Sequence, residues 1–180
     1  MGVDIGLWVE YKNEKGEWVD APSQTTICYY CNGTEKRYDE NSKKYSIYCT
    51  ECDSGTKEIF CYYRRNYAIF GILADVKTFP NIKPISDWRG VPEDYKLHPE
   101  YEEYKKKERS IFFDGYGSRY NASSYLSLKE LKEYDWNIVF EKYKWLEDEE
   151  FYKYLMPALD TLAKKYGGDD NVRVVFSFDY

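Results

Sequence analysis

The sequence predicts an α+β fold: a small sheet with strands from both chain ends, helices packed on one face, and an inserted hairpin. Three observations predict it. Residues 3–11 alternate, with Val3, Ile5, Leu7, Val9 and Tyr11 on one side and Asp4, Gly6, Trp8 and Glu10 on the other, the period of a half-buried strand. Residues 172–178 repeat this, with Val172, Val174, Phe176 and Phe178 on one side. Helical periodicities fill the stretch between, and strands that bracket helices favour a segregated α+β architecture. The sheet then turns Asp4, Gly6, Trp8, Glu10, Arg173 and Ser177 away from the helices.

The elements follow in order. Asn13-Glu14-Lys15-Gly16 reads as a turn, so Glu17 to Val19 returns as a hairpin arm. Pro22 to Thr26 connects to the insertion at 26–60, and the rest of 1–180 forms one domain. Asn66 caps a helix running to about Val76, with Ile69, Phe70, Leu73 and Val76 as its apolar stripe. Thr78 to Pro92 is a proline-bearing loop that contains Trp88-Arg89-Gly90. Pro99 opens a charged helix to about Arg109. Ile111 to Phe113 reads as a short strand, and Asp114 to Ser124 as a loop. Ser127 and Glu130 form a capping box, stapled by Leu126 and Leu131, for a short helix to about Tyr134. Glu149 to Tyr166 is helical, with Pro157 either kinking it or starting its regular part, and Gly167-Gly168 end it.

The strongest chemical signal is a pair of Cys-x-x-Cys motifs, Cys28/Cys31 and Cys49/Cys52, separated by 17 residues. That spacing fits a four-thiolate zinc site. Each pair clips the metal from one tight turn, and a closed tetrahedron of four sulfurs leaves no position for a substrate, so the zinc is structural. Two disulfides are the weaker reading, because no apolar signal segment follows Met1. Cys61 is left over and reads as a small buried apolar residue.

Composition excludes several classes. The formal charge of −6 argues against a general nucleic-acid-binding surface. The longest apolar run, Tyr67 to Ala74, stops at Asp75 and is too short for a membrane span. Gly6 occupies the position that a myristoylation signal gives to Ser or Thr. A reducing cytoplasm is the expected compartment. The 21 tyrosines offer flat apolar faces with a hydroxyl, which suits a recognition pocket or a broad interface, and equally a wet, shallow core; a homo-oligomer is a separate expectation.

Several motifs in one order resemble a family of small, uncharacterised proteins encoded mainly in bacteriophage genomes. The opening Gly2-Val3-Asp4-Ile5-Gly6-Leu7-Trp8-Val9-Glu10 is similar to a family start in which Cys takes the place of Val3 and His that of Gly6. Arg65-Asn66-Tyr67-Ala68-Ile69-Phe70, the loop Pro84-Ile85-Ser86-Asp87-Trp88-Arg89-Gly90-Val91-Pro92, Asp114-Gly115 and the ending Val172-Arg173-Val174-Val175-Phe176-Ser177-Phe178-Asp179 follow the same pattern. The resemblance spans nearly the whole chain except the cysteine insertion, and it implies the host cell cytoplasm. The family has further histidines in its Asp-Gly loop, where this chain has Tyr116-Gly117-Ser118-Arg119-Tyr120, and only His98 remains.

Three functions compete. The first is a phage protein that binds a nucleotide-derived immune signal, a cyclic nucleotide or ADP-ribose derivative, and sequesters it without cleavage. Such a site needs aromatics for a base and arginines and amides for phosphates. Arg65, Asn66, Trp88, Arg89, Asp114, Tyr116 and Ser124 are the candidates, the first six of them expected along one concave surface. Arg65 alternatively forms an ion pair with Asp4 or Glu10. The second function is a protein inhibitor of a host enzyme, docking through the zinc hairpin and surface tyrosines. The third is a metal-dependent nucleotide hydrolase using Asp4, Glu10, Asp114 and Asp135. The missing histidines weigh against it, since acid–base work near neutral pH favours them.

Overall fold

A computed structural model describes residues 4–22, 24–27, 34–39, 43–48, 56–75, 82–90, 92–95, 123–147 and 149–179. The chain divides into two compact units, Met1–Ala21 with Cys61–Tyr180, and Pro22–Phe60.

In the first unit, strand β1 (Asp4–Lys12) pairs antiparallel with the last strand, β9 (Val172–Asp179), from Asp4↔Asp179 to Tyr11↔Val172. The other edge of β1 is shared. Its end pairs with β2 (Trp18–Asp20), and its start pairs with β7 (Cys61–Arg64). Strand β8 (Ser123–Ser127) closes the far side against β9, so every ladder in the sheet is antiparallel. The β1–β2 turn forms because the Asn13 side-chain oxygen accepts the amides of Lys15 and Glu17 while Gly16 takes a left-handed φ of 75°.

The register explains the core. Directly opposed residues in an antiparallel pair share a face. Ile5, Leu7 and Val9 stand opposite Phe178, Phe176 and Val174, and Leu126 of β8 extends that row. All are buried. Rings from the helices meet this face: Phe70 lies 5.2 Å from Phe178, Phe151 stands edge-on 5.7 Å from Tyr62, and Tyr166 lies 3.9 Å from Tyr11.

Helix α1 (Tyr67–Ala74) is apolar throughout and buried from Ala68 to Ala74. The Asn66 side chain caps it by accepting the amides of Ala68 and Ile69. It stops two residues before Val76, because Asp75 turns left-handed (φ 55°) and its amide bonds back to the carbonyls of Phe70 and Gly71. Helix α2 (Leu128–Glu133) starts at the expected Ser127–Glu130 capping box. Helix α3 (Trp136–Lys142) follows, capped by Asp135 and tied back by the Trp136 indole N–H to the Leu131 carbonyl at 2.8 Å. A wide π-turn (Phe151–Leu155) then leads into α4 (Met156–Lys165). Pro157 sits at the start of that regular part, so of the two expected outcomes it opens the helix. Its ring nitrogen has no proton to donate into the preceding turn, and the π-turn bond from the Met156 amide to the Phe151 carbonyl spans the gap.

In the second unit, β3 (Thr25–Ile27) pairs antiparallel with β6 (Thr56–Glu58), and β4 (Lys36–Asp39) with β5 (Lys44–Tyr48). The expected zinc ligands Cys28, Cys31, Cys49 and Cys52 lie outside the described residues, as do the expected helix after Pro99, the strand at Ile111–Phe113 and the site candidates Asp114 and Tyr116.

Candidate ligand site on the second sheet face

Alternation along β1 and β9 places Trp8, Glu10 and Arg173 on the face opposite Ile5 and Phe176, as the sequence predicts. Glu10 and Arg173 are directly opposed. The Arg173 Nε–H donates to Glu10 Oε2 at 2.7 Å, and the two side chains are 5% and 3% exposed. Burial pushes the Glu10 carboxyl above the usual carboxylate range, against the hydrogen bond and charge of Arg173. Arg173 Nη1 donates to Asp94 Oδ1, also at 2.7 Å, but Asp94 is 55% exposed. The Trp18 ring lies 4.0 Å from the Arg173 guanidinium carbon and 5.0 Å from Lys12 Nζ, both within cation–π range. Two donors on this face are buried with no acceptor among the described residues: Arg173 Nη2 and the Trp8 indole Nε1. Buried donors are normally bonded, so such a pair marks a place of interest.

A second arginine adjoins the first through a tyrosine. The Tyr125 ring centre lies 5.9 Å from the Arg173 guanidinium and 5.6 Å from that of Arg89. Arg89 holds Glu130 with both terminal nitrogens, at 3.0 Å from Nη1. The same carboxylate accepts the Ser127 amide at 2.9 Å. Burial disfavours the Glu130 anion, but Arg89 and Ser127 outweigh it and hold the carboxyl below its ordinary range. The Arg89 amide donates to Ser124 Oγ at 3.3 Å.

The loop that supplies Arg89 is pinned at three places. The Ile85 amide bonds to the Ile72 carbonyl of α1. The half-buried Trp88 ring lies 5.9 Å from Phe178, on the apolar face. Asp94 and Tyr95 then reach the second face, where the Tyr95 ring lies 6.1 Å from Trp8.

Of the candidates from sequence, Arg89 and Ser124 come together directly. Trp88 follows them in the chain but packs toward the core as an anchor. Asn66 is the cap of α1, and Arg65 precedes it, exposed. The carboxylate of Glu10, one of the alternative partners of Arg65, belongs to Arg173. Asp135, offered as a metal ligand, caps α3 through the Asn137 amide. Among the described residues, no group of three or more His, Cys, Asp or Glu side chains is placed to hold a metal ion. The sequence signal for Glu10 and Arg173 was a charged residue on the strand face that alternates with the apolar one. Asp94, Trp18 and Tyr125 carried no such signal, because each joins the site through tertiary contact.

No family model, curated protein or solved structure matches the chain. Among the described residues no helix is long and apolar enough to cross a membrane.

Proposed function

We propose that this chain is a binding protein that captures a nucleotide-derived signal, of the cyclic-nucleotide or ADP-ribose kind, and holds it without cleaving it. One observation carries the reading: rings and guanidinium groups alternate as Trp18, Arg173, Tyr125 and Arg89, from the second sheet face to the loop beside β8. A base stacks on such rings, and phosphates take charge-assisted bonds from such arginines. The Arg89–Glu130 pair is 31% exposed on each side, an ion pair of small net worth that a phosphate can replace. The carboxylates nearest the array, Glu10, Asp94 and Glu130, are each bonded to an arginine, which suits holding rather than proton transfer. The resemblance to phage-encoded proteins supplies the setting, a signal made by the infected host.

The proposal includes a structural zinc at Cys28, Cys31, Cys49 and Cys52. Its support is topological. Residues 28–35 and 49–55 are the two links that join the β3–β6 and β4–β5 ladders, and each link contains one Cys-x-x-Cys pair. When bound, zinc ligated by four thiolates supplies folding energy rather than catalysis.

Thermal-shift screening with cyclic dinucleotides and ADP-ribose tests the binding reading, since a ligand of the folded state raises its melting temperature. Chromatography of the denatured complex is then expected to return the ligand intact. A cleaved product moves the protein to the hydrolases. No shift with any such nucleotide removes the binding reading and favours docking to a host protein.

A further inference from the structure

The geometry points to Arg173 as the anion-receiving group of this site, with Asp94 as a built-in placeholder that a ligand phosphate displaces. The inference deepens the binding reading above and names its central contact.

The guanidinium is set up on three sides. Its Nε is committed to Glu10 in a pair only 5% and 3% exposed, and breaking a buried pair is costly. Its plane is steadied by the Trp18 ring at 4.0 Å. Its outer end is used in part: Nη1 goes to Asp94, and Nη2 has no acceptor among the described residues. The two terminal nitrogens of an arginine form a fork that matches two oxygens of one phosphate or carboxylate. Asp94 fills one prong of that fork. A ligand phosphate fills both, and it also relieves the buried donor that Asp94 leaves unbonded.

Exposure decides which partner leaves. Glu10 is fixed in a strand and buried, whereas Asp94 is 55% exposed on a short turn closed by the Tyr95 amide to the Pro92 carbonyl. Asp94 regains water when it leaves, so its exchange for a better-fitting anion costs less than release of Glu10. The exchange keeps an anion beside the Arg173 guanidinium. Tyr95 travels with Asp94, and its contact with Trp8, whose indole N–H is the second unbonded donor, opens with the same movement.

The test is nitrogen-15 NMR of the arginine side chains in the full chain, titrated with ADP-ribose and, separately, with inorganic phosphate. Wild type and Asp94→Asn are compared after circular dichroism has confirmed the fold of the variant. Removing the competing carboxylate is expected to tighten binding of both probes about two- to fivefold, the scale of a half-exposed ion pair. The Arg173 terminal nitrogens are expected to shift on titration. Unchanged or weaker binding by Asp94→Asn, or stationary Arg173 signals while either probe binds elsewhere, overturns the inference, as does failure of both probes to bind either protein. If phosphate alone moves Arg173 and binds the variant more tightly, the anion site stands and the nucleotide reading falls. If ADP-ribose binds both proteins equally, the nucleotide reading stands and the placeholder role of Asp94 falls.

Discussion

Glu149 is the carboxylate whose surroundings tie three elements together. Its Oε1 accepts the Tyr62 hydroxyl of β7 at 2.7 Å, and its Oε2 accepts the Phe151 amide of the π-turn at 2.7 Å. Burial pushes its carboxyl above the ordinary value of 4.5, and the hydrogen bonds from Tyr62, Phe151 and Asn66 oppose that without cancelling it. The consequence for stability has a definite sign. Between the ordinary value and the raised one, the folded state binds more protons than the unfolded state, so stability from this group falls as pH rises through that window. Glu10 is displaced the same way, so a single variant is needed to separate the two. Glu149→Gln removes the titration at one site. Urea denaturation from pH 4.5 upward is expected to show a shallower loss of stability for Glu149→Gln than for wild type, and identical pH slopes would refute an upward displacement of the Glu149 carboxyl.

At the scale of elements, the start of α2 joins a local rule to a long-range contact. Glu130 completes the capping box with Ser127 and also holds Arg89, 41 residues away in sequence. Removing an N-cap hydroxyl costs about 0.5–2 kcal/mol, typically near 1 kcal/mol. Ser127→Ala is expected in that range by chemical denaturation. Arg89→Ala removes a half-exposed pair, for which 0–1 kcal/mol is the usual scale. Because both act on one carboxylate, the double variant is expected to depart from additivity, and strict additivity would show that Glu130 does not couple them. The capping box was legible because it is written in adjacent residues, and so were β1 and β9, in which every second residue is apolar from Ile5 to Tyr11 and from Val172 to Phe178. Strand β8 was not legible. Its sequence Ser123-Ser124-Tyr125-Leu126-Ser127 buries two serines where a pattern of apolar residues would be sought. Helix α3 was missed for a related reason, since it is short and Ile138, its most apolar residue, is 64% exposed.

At the scale of the whole molecule, the candidate site became visible only through the pairing of the chain's two ends. Glu10 and Arg173 are 163 residues apart and meet because β1 and β9 are neighbours in one register. The sequence placed both on one face but gave no means of finding Asp94 or Tyr125, whose approach depends on the course of the loop after α1. The core of that unit draws Ile5, Leu7, Phe70, Phe151, Phe176 and Phe178 from residues outside 22–60. The Pro22–Phe60 unit has two short antiparallel ladders among its described residues, and units of about this size generally need a metal or crosslinks to fold. Cys49→Ser is therefore expected to release about one zinc per chain, as read by elemental analysis. Hydrogen exchange is expected to show the amides of β4 and β5 losing protection while those of β1 and β9 keep theirs. Finding no zinc in protein purified without chelator would refute the metal site, and loss of protection across β1 and β9 would refute the independence of the larger unit.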